Sequence, residues 1–418
     1  MIVNESDIQG GAARAAYRLH VSILSAGIDS LMLIQRKFSD DPTVLGPETD
    51  FKRRFGKVRP FLDLLPAKKY KDRTNALFST GWLPFGGIAE RINQLNPDLV
   101  HLHWITGGMM RIEDIVKIKA PIVWSLHDMW PFTGGCHYDG QCGGYRESCG
   151  NCPLLLSRKE NDLSREVFAR KSRVYSKKRD MTIVGLSSWI TRCAESCSLF
   201  RGKRIVHLPN PINTDQYRPF DKRKARELWQ LPLDRKILLF GAMSARGDPR
   251  KGLKELNSAL DMVVQKDFEV CIFGANQSPE EPSQRFKTTY LGLLHDEVSL
   301  ISLYNACDLM VVPSLQENLS NSIMEALSCG TPVVAFNVGG NADMIEHKKN
   351  GYLAIPFEIT DLAAGIDWVL NLPNRAELKH NAREKVLREL RSEIVADKYI
   401  QLYKEVIDGE GVCDNQRK

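Results

Sequence analysis

PSLQENLSNSIMEALSCGTPVVAF, residues 313–336, holds two glutamates, Glu317 and Glu325, with seven residues between them. Pro313, Gln316 and Asn318 are poor interior residues for a regular element, so Glu317 is expected in a loop with its carboxylate exposed. Ser320, Asn321 and Ser322 are N-cap candidates. Ile323, Met324, Ala326 and Leu327 predict a short apolar helix, closed by Gly330 and barred from continuing by Thr331-Pro332. Val333-Val334-Ala335-Phe336 is a continuous apolar run, as a buried parallel strand shows. Glu317 then lies just before a helix N-terminus and Glu325 inside the helix. The unpaired N–H groups between them suit phosphate, and the carboxylates accept hydrogen bonds from hydroxyls. Together they fit a ligand with a diphosphate between two polyhydroxylated rings, such as a nucleotide sugar. The spacing alone equally describes two solvated glutamates around an ordinary helix.

Outward from this stretch, strand-like runs alternate with helical periodicity. Met1-Ile2-Val3-Asn4 reads as the end of a first strand, short enough to leave open a natural start upstream of Met1. Ser6 to Gly11 is a loop, and Ala12, Ala13, Ala15, Ala16, Leu19 and Ile23 predict a helix ending near Gly27. The pair Gly10-Gly11 between strand and helix permits close backbone approach to a ligand, or is a plain strand-to-helix turn. Further strands are expected at 31–34, 98–104, 122–126 and 182–186, with a helix at 88–95; residues 37–80 read as irregular and basic. A second alternating series starts at Lys236, with strands at 236–241, 269–274, 309–313 and 333–336. Strands alternating with helices argue doubly wound parallel sheets, with ligands at the carboxyl ends of the strands.

The glutamate stretch, the run Cys329-Gly330-Thr331-Pro332-Val333-Val334-Ala335 and the later Gly339-Gly340 resemble retaining glycosyltransferases of family 4. That resemblance covers most of the chain and is weakest over 37–80 and the extreme C-terminus. It implies an α/β GT-B fold, two Rossmann-like doubly wound domains facing across a cleft. Residues 1–215 would be an acceptor-binding domain with a cysteine insert at 136–152, joined by a C-terminal helix 394–418; residues 216–393 would bind the nucleotide sugar. By resemblance, Glu317 holds sugar hydroxyls and Glu325 the ribose. Asn318, Leu319, Ser320, Ser322 and Ile323 then line the donor around the helix start, and Gly10, Gly11 and Ala12-Ala13-Arg14 match the first glycine loop. Asn318 departs from the family, where many members carry glycine. His127 matches a histidine close to the transferring sugar, with His103 and Asp128 as residues that orient it or cap a turn. Lys251, in Asp248-Pro249-Arg250-Lys251-Gly252, matches a lysine that neutralises the leaving diphosphate. The partner arginine is Arg250 or Arg246, Arg250 being preferred. The resemblance implies a UDP- or GDP-linked donor, a saccharide or lipid-linked acceptor in surface polysaccharide synthesis, retention by front-face attack, and no catalytic metal.

Composition bounds this reading. The chain has 418 residues, 43% hydrophobic and 26% charged, ordinary for two or three globular domains. No run approaches ~18 apolar residues, so no membrane span is expected, and the reading is cytoplasmic. The net charge of +6 equals the excess of nine basic residues over three aspartates in residues 50–73. With Phe61-Leu62-Asp63-Leu64-Leu65 inside it, this segment is either a solvated loop or a peripheral contact with an anionic inner membrane face. No nucleic-acid motif is present. Of ten cysteines, Cys193, Cys197, Cys271, Cys307, Cys329 and Cys413 are scattered. Cys136, Cys142, Cys149 and Cys152 cluster among glycines and read as a closed structural zinc site, reduced thiols, or disulfides. Two rival readings remain at this stage: another GT-B sugar-nucleotide protein such as an epimerase or phosphorylase, and a non-catalytic binder using the cysteine module.

Overall fold

The computed structural model describes residues 1–84, 86–241, 247–276, 285–294 and 296–409; Arg246 and Cys413, named above, lie outside the described residues. The chain divides into two compact units, Met1–Asn210 with Val395–Lys418, and Pro211–Ile394. The sequence boundary was expected at 215, and the contact division falls between Asn210 and Pro211.

Unit 1 contains strands β1 (Ile2–Ser6), β2 (Met32–Arg36), β3 (Val44–Leu45), β4 (Val100–Leu102), β5 (Ile122–Leu126), β6 (Met181–Gly185) and β7 (Arg204–His207). They pair in parallel in the order β3-β2-β1-β4-β5-β6-β7. Helices α1 (Gly11–Ser25), α2 (Asp50–Asp63), α3 (Ile88–Leu95), α4 (Leu163–Lys177) and α5 (Ser188–Glu195) complete the βα series. Because helices cover a parallel sheet, its strands are apolar on both faces; Val3, Leu33, Val100, Leu102, Trp124 and Ile183 are all buried.

Helix α2 corrects the expectation that residues 37–80 are irregular. Thr49 caps it, its hydroxyl accepting from Lys52 N at 3.2 Å. Its inward face is Gly56, Arg59 and Asp63, while Phe51 and Phe61 point out. The Arg59 guanidinium donates to the carbonyls of Gly108, Leu83 and Pro84. A helix that buries polar residues and exposes aromatic ones has no inward apolar stripe, so the usual periodicity does not mark it.

Unit 2 has helix α6 (Lys222–Leu228), then β8 (Lys236–Gly241), α7 (Leu253–Met262), β9 (Phe268–Phe273), β10 (Thr288–Tyr290), α8 (Glu297–Ala306), β11 (Leu309–Val312), α9 (Asn321–Ser328) and β12 (Val333–Phe336). It ends with α10 (Asn341–Met344), β13 (Gly351–Ala354), α11 (Ile359–Asn371) and α12 (Ala376–Glu389). Its parallel sheet runs β10-β9-β8-β11-β12-β13 over a core that includes Leu238, Phe240, Val270, Val311 and Phe336. The last helix, α13 (Ser392–Ile407), carries the chain back to unit 1. There Tyr403 Oη meets His101 Nδ1 at 2.6 Å, and Glu405 pairs with Arg204.

In each sheet the strand order reverses once, at β1/β4 in unit 1 and at β8/β11 in unit 2. Loops leaving the carboxyl ends of such strand pairs diverge to opposite faces and open a crevice, the usual ligand position in an open α/β sheet.

Candidate functional site

In unit 2 the loops after β8, β11 and β12 are bound into one ledge. Leu315 N donates to the Arg250 carbonyl at 2.7 Å, and Gly340 N to the Asn318 carbonyl at 2.8 Å. Two glycines permit this packing. A Cβ on Gly252 (φ +78°) would lie 1.9 Å from the Pro313 oxygen, and one on Gly339 (φ +56°) 1.6 Å from the Glu317 oxygen. Backbone cannot retreat from such contacts, so both positions need glycine.

On this ledge Lys251 Nζ lies 2.7 Å from Glu317 Oε2, and Ser314 Oγ is 3.4 Å from the same oxygen. The Glu317 side chain is 11% exposed, which corrects the expectation of an exposed loop carboxylate. The loop position is as expected, but Lys251 reaches in from the neighbouring loop and covers the carboxylate. Asn318, Leu319 and Ser320 are buried beside it. Ser320 stands at the N-cap of α9, yet its hydroxyl meets Ser322 Oγ at 3.0 Å and makes no side-chain cap. The first turn of α9 contains no acidic residue. The positive end of this helix is therefore left without a side-chain cap or a carboxylate of its own. The Ile323 side chain is fully buried, so only its backbone remains to meet a ligand. Glu325 is buried, and its Oε2 accepts a 2.8 Å hydrogen bond from Tyr304 Oη. Arg250 is held by the Asp248 carboxylate through Nε at 2.9 Å and Nη2 at 2.7 Å.

In unit 1, Gly10 (φ +103°) is the N-cap of α1, with no atom within 4 Å of where a Cβ would be. Gly11 opens the helix, and its first turn also lacks a side-chain cap and an acidic residue. His103 follows β4 and His127 follows β5; their rings join through His103 Nδ1 and His127 Nε2 at 2.8 Å. Burial pushes the His127 imidazole down to about 4, against a smaller opposing pull from Asp128. Burial and the charges of His101 and His127 hold His103 well below its ordinary value. Both rings are therefore neutral at neutral pH, and each can offer either a donor or an acceptor.

Asp128 caps the turn that follows His127 and is held from three sides. Its Oδ2 accepts from Trp104 Nε1 at 2.7 Å and meets His137 Nδ1 at 2.6 Å, and its Oδ1 accepts from Trp130 N at 2.8 Å. His137 Nε2 meets Ser79 Oγ at 2.9 Å. Ser79, His137 and Asp128 have the residue types and order of a hydrolytic triad, but all three are buried. They form a clamp that ties the cysteine insert to the segment carrying His127. His137 and Tyr304 went unnoticed in the sequence: one sits inside a cysteine–glycine tract and the other in an apolar helix, and neither motif spacing marks them.

Cys136, Cys149 and Cys152 are buried and Cys142 is exposed. Burial pushes all four thiols up, against hydrogen bonds from Thr133, Gly144, Gly134 and the Leu154–Leu155 backbone respectively for Cys136, Cys142, Cys149 and Cys152. Lys171, buried over the Trp130 ring, donates to the carbonyls of Trp130 and Thr133 nearby. Among the described residues no three His, Cys, Asp or Glu side chains stand together as a metal-holding group.

Two parallel sheets, each flanked by helices and each with one order reversal, define the GT-B fold. The chain superposes on sucrose-phosphate synthase from Thermosynechococcus elongatus with a TM-score of 0.69 at 18% identity, covering 98% of both chains. Residues 221–385, all within unit 2, match the family described as glycosyl transferases group 1. The chain is also 32% identical over 202 residues to D-inositol 3-phosphate glycosyltransferase 2 of Catenulispora acidiphila, covering 44% of this chain and 47% of the relative. It is 29% identical over 204 residues to N,N'-diacetylbacillosaminyl-diphospho-undecaprenol alpha-1,3-N-acetylgalactosaminyltransferase of Campylobacter jejuni, covering 47% and 53%. The chain spans about half the length of these curated relatives.

Proposed function

We propose that this protein is a retaining glycosyltransferase that moves a sugar from a UDP- or GDP-linked donor to a saccharide or lipid-linked saccharide in surface polysaccharide synthesis. The observation that carries the reading is the Lys251–Glu317 pair, set beside the uncapped start of α9 at the order reversal of the sheet. A nucleotide sugar needs a cation and free N–H groups for its diphosphate and carboxylates for its hydroxyls. Lys251 and the α9 start would take the diphosphate, with Arg250 turned from Asp248 as a second cation. Glu317 would hold the sugar hydroxyls and Glu325, steadied by Tyr304, the ribose. His127, neutral and fixed by His103, suits a hydroxyl ligand, and Gly10–Gly11 leave room for one. In the proposed step the acceptor hydroxyl attacks the anomeric carbon from the face of the leaving group. The bond from carbon to diphosphate oxygen breaks as that oxygen takes the acceptor proton. The Campylobacter relative, whose name describes an alpha-linking transfer to a diphospho-undecaprenol saccharide, supports the acceptor class.

A structural zinc on Cys136, Cys142, Cys149 and Cys152 stays part of the proposal. The donor set fits by type, four cysteine sulfurs, of which Cys149 Sγ accepts a hydrogen bond from Gly134 N at 3.1 Å. The ion would have to draw the thiols together, and it would supply folding energy to the loop. One zinc per chain in protein purified without chelator is the expected elemental analysis; none would remove this part. Peripheral contact with an anionic membrane is proposed for α2, whose exposed Phe51, Val58 and Phe61 stand among Lys52, Arg53, Arg54 and Lys57. No helix among the described residues is long and apolar enough to cross a membrane. The deciding experiment is turnover of a panel of UDP- and GDP-sugars with lipid-linked saccharides, followed by analysis of the anomeric configuration. Binding of donors without turnover would overturn the transferase reading.

A further inference from the structure

A second cavity of about 230 Å³ lies in unit 2 near the C-terminal end of α9. Its lining includes Lys222, Lys379, His380 and Arg383, together with Asn305 and Thr331, and contains no acidic side chain. The carboxylates around it are Asp308, on which Lys222, Arg226 and Arg375 all converge, Asp215 and Glu384 beside Arg383, and the buried Glu325 near Cys329. Arg226 Nη2 is 2.7 Å and Arg375 Nη2 3.5 Å from Asp308. One carboxylate thus faces three cations, with Lys379 as a fourth charge nearby.

Most of these cations have a structural reason to be there. Arg226 donates to the carbonyls of Ala306, Pro232 and Leu233, and Arg383 to those of Tyr217, Thr214 and Ser328. The exposed carbonyls at helix ends favour cations. Lys222 and Arg375 are held by Asp308. Lys379 has none of these reasons: its ammonium makes no hydrogen bond or ion pair among the described residues. Burial, together with repulsion from Arg375 and Arg226, lowers its affinity for a proton, and only Asp308 opposes this. Burial likewise pushes Lys222 down to about 8. Several cations sharing one carboxylate leave positive charge in excess, and half-buried charges so placed are ordinarily paired or bound to a ligand. The polar atoms of Asn305 and Thr331 are already used, so the unmet demand is for negative charge rather than for hydroxyls.

We propose that this cavity binds a small phosphorylated anion through Lys379, Lys222 and His380, at a site separate from the Lys251–Glu317 ledge. The two sites lie toward opposite ends of α9, an eight-residue helix about 12 Å long. The inference stands on the cavity and its charges and does not depend on the transfer chemistry.

The test is calorimetric titration of the full chain with inorganic phosphate, and separately with a sugar phosphomonoester, at constant ionic strength set with chloride. In Lys251→Ala protein, where the ledge is disabled, phosphate binding is expected to persist. Adding Lys379→Ala should weaken it by about tenfold or more, the loss of one charge-assisted contact. Tighter binding of the monoester than of phosphate would assign an organic phosphate as the ligand, and equal binding would assign free phosphate. Lys379→Gln and His380→Ala provide the same comparison if Lys379→Ala does not fold. Absence of phosphate binding in the Lys251→Ala protein, or binding unmoved by all three cavity variants, would overturn the proposal.

Discussion

The two order reversals are built from opposite electrostatics. At β8/β11 a lysine and a glutamate face each other at 2.7 Å, and both keep some exposure. At β1/β4 and its neighbour β5, the groups are histidines made neutral by burial. The same topology thus presents a lysine–glutamate pair in unit 2 and a neutral histidine pair in unit 1, the carboxylates of unit 1 being tied up by Trp104, His137, Arg36 and backbone N–H groups. A diphosphate needs the first, because counter-charge must be in place as the leaving group gains charge. A saccharide hydroxyl needs only the second, since a neutral imidazole donates or accepts without the cost of desolvating an ion.

The strongest challenge to this contrast is Lys251→Ala. If the charged ledge serves the leaving group, transfer should fall by about 10²–10³, as when a preorganised electrostatic contact is lost. Steady-state rates with a saturating donor check this, and Glu317→Gln should fall comparably with the thermal melt unchanged. Near-normal turnover in either variant would leave the ledge a structural ion pair.

The uncharged side depends on the Asp128 clamp. Asp128→Ala removes three hydrogen bonds and leaves His137 buried without its partner, so it should destabilise unit 1 by ~3 kcal/mol in a denaturant melt. If the donor sits on unit 2 as proposed, its affinity should not move. Glu325→Ala tests unit 2 in the reverse sense: donor affinity should weaken by about 1–3 kcal/mol for the lost ribose contacts. Unchanged calorimetric affinity would remove Glu325 from the donor site. Outside both crevices, replacing Lys52, Arg53 and Arg54 with Gln should cost about 1 kcal/mol each in binding to anionic vesicles, seen as reduced flotation at low salt.

The mildest effect is the pH response of unit 1. His127 is pushed to about 4 in the folded protein, whereas in the unfolded chain it takes its proton at about 6.5. The unfolded state therefore gains protons first on acidification. The contribution of His127 to stability is complete above about 6.5 and drains away as pH falls through about 4. His20, pushed to about 4 chiefly by burial, adds in the same direction. Imidazole proton shifts followed by NMR should show His127 uncharged at pH 6; titration near neutrality would erase the distinction between the two crevices.

The doubly wound architecture was legible because its strands are buried on both faces. Val333–Phe336 is apolar throughout and Ile122–Leu126 is apolar but for Ser125, as strands covered on both faces are. The loop position of Glu317 and the helix position of Glu325 followed from the residues around them, while the roles expected of Lys251, Glu317 and Glu325 came from the resemblance to a known family. Helix α2 was not, because its inward residues are an arginine, an aspartate and a glycine held by contacts with loops 24–49 residues away in sequence. By itself the sequence determined the alternation of the central strands with helices and the residue types offered at their ends, since those follow from local periodicity; the short strands β3, β7, β10 and β13 carry no such signal. Only the tertiary structure decided which of them meet. The Lys251–Glu317 pair spans 66 residues and the His103–His127 pair 24, and each forms where a parallel crossover returns the chain beside an earlier strand. The burial that covers Glu317 and neutralises His127 arises from that return, because desolvation depends on what packs around a group rather than on its neighbours in the chain.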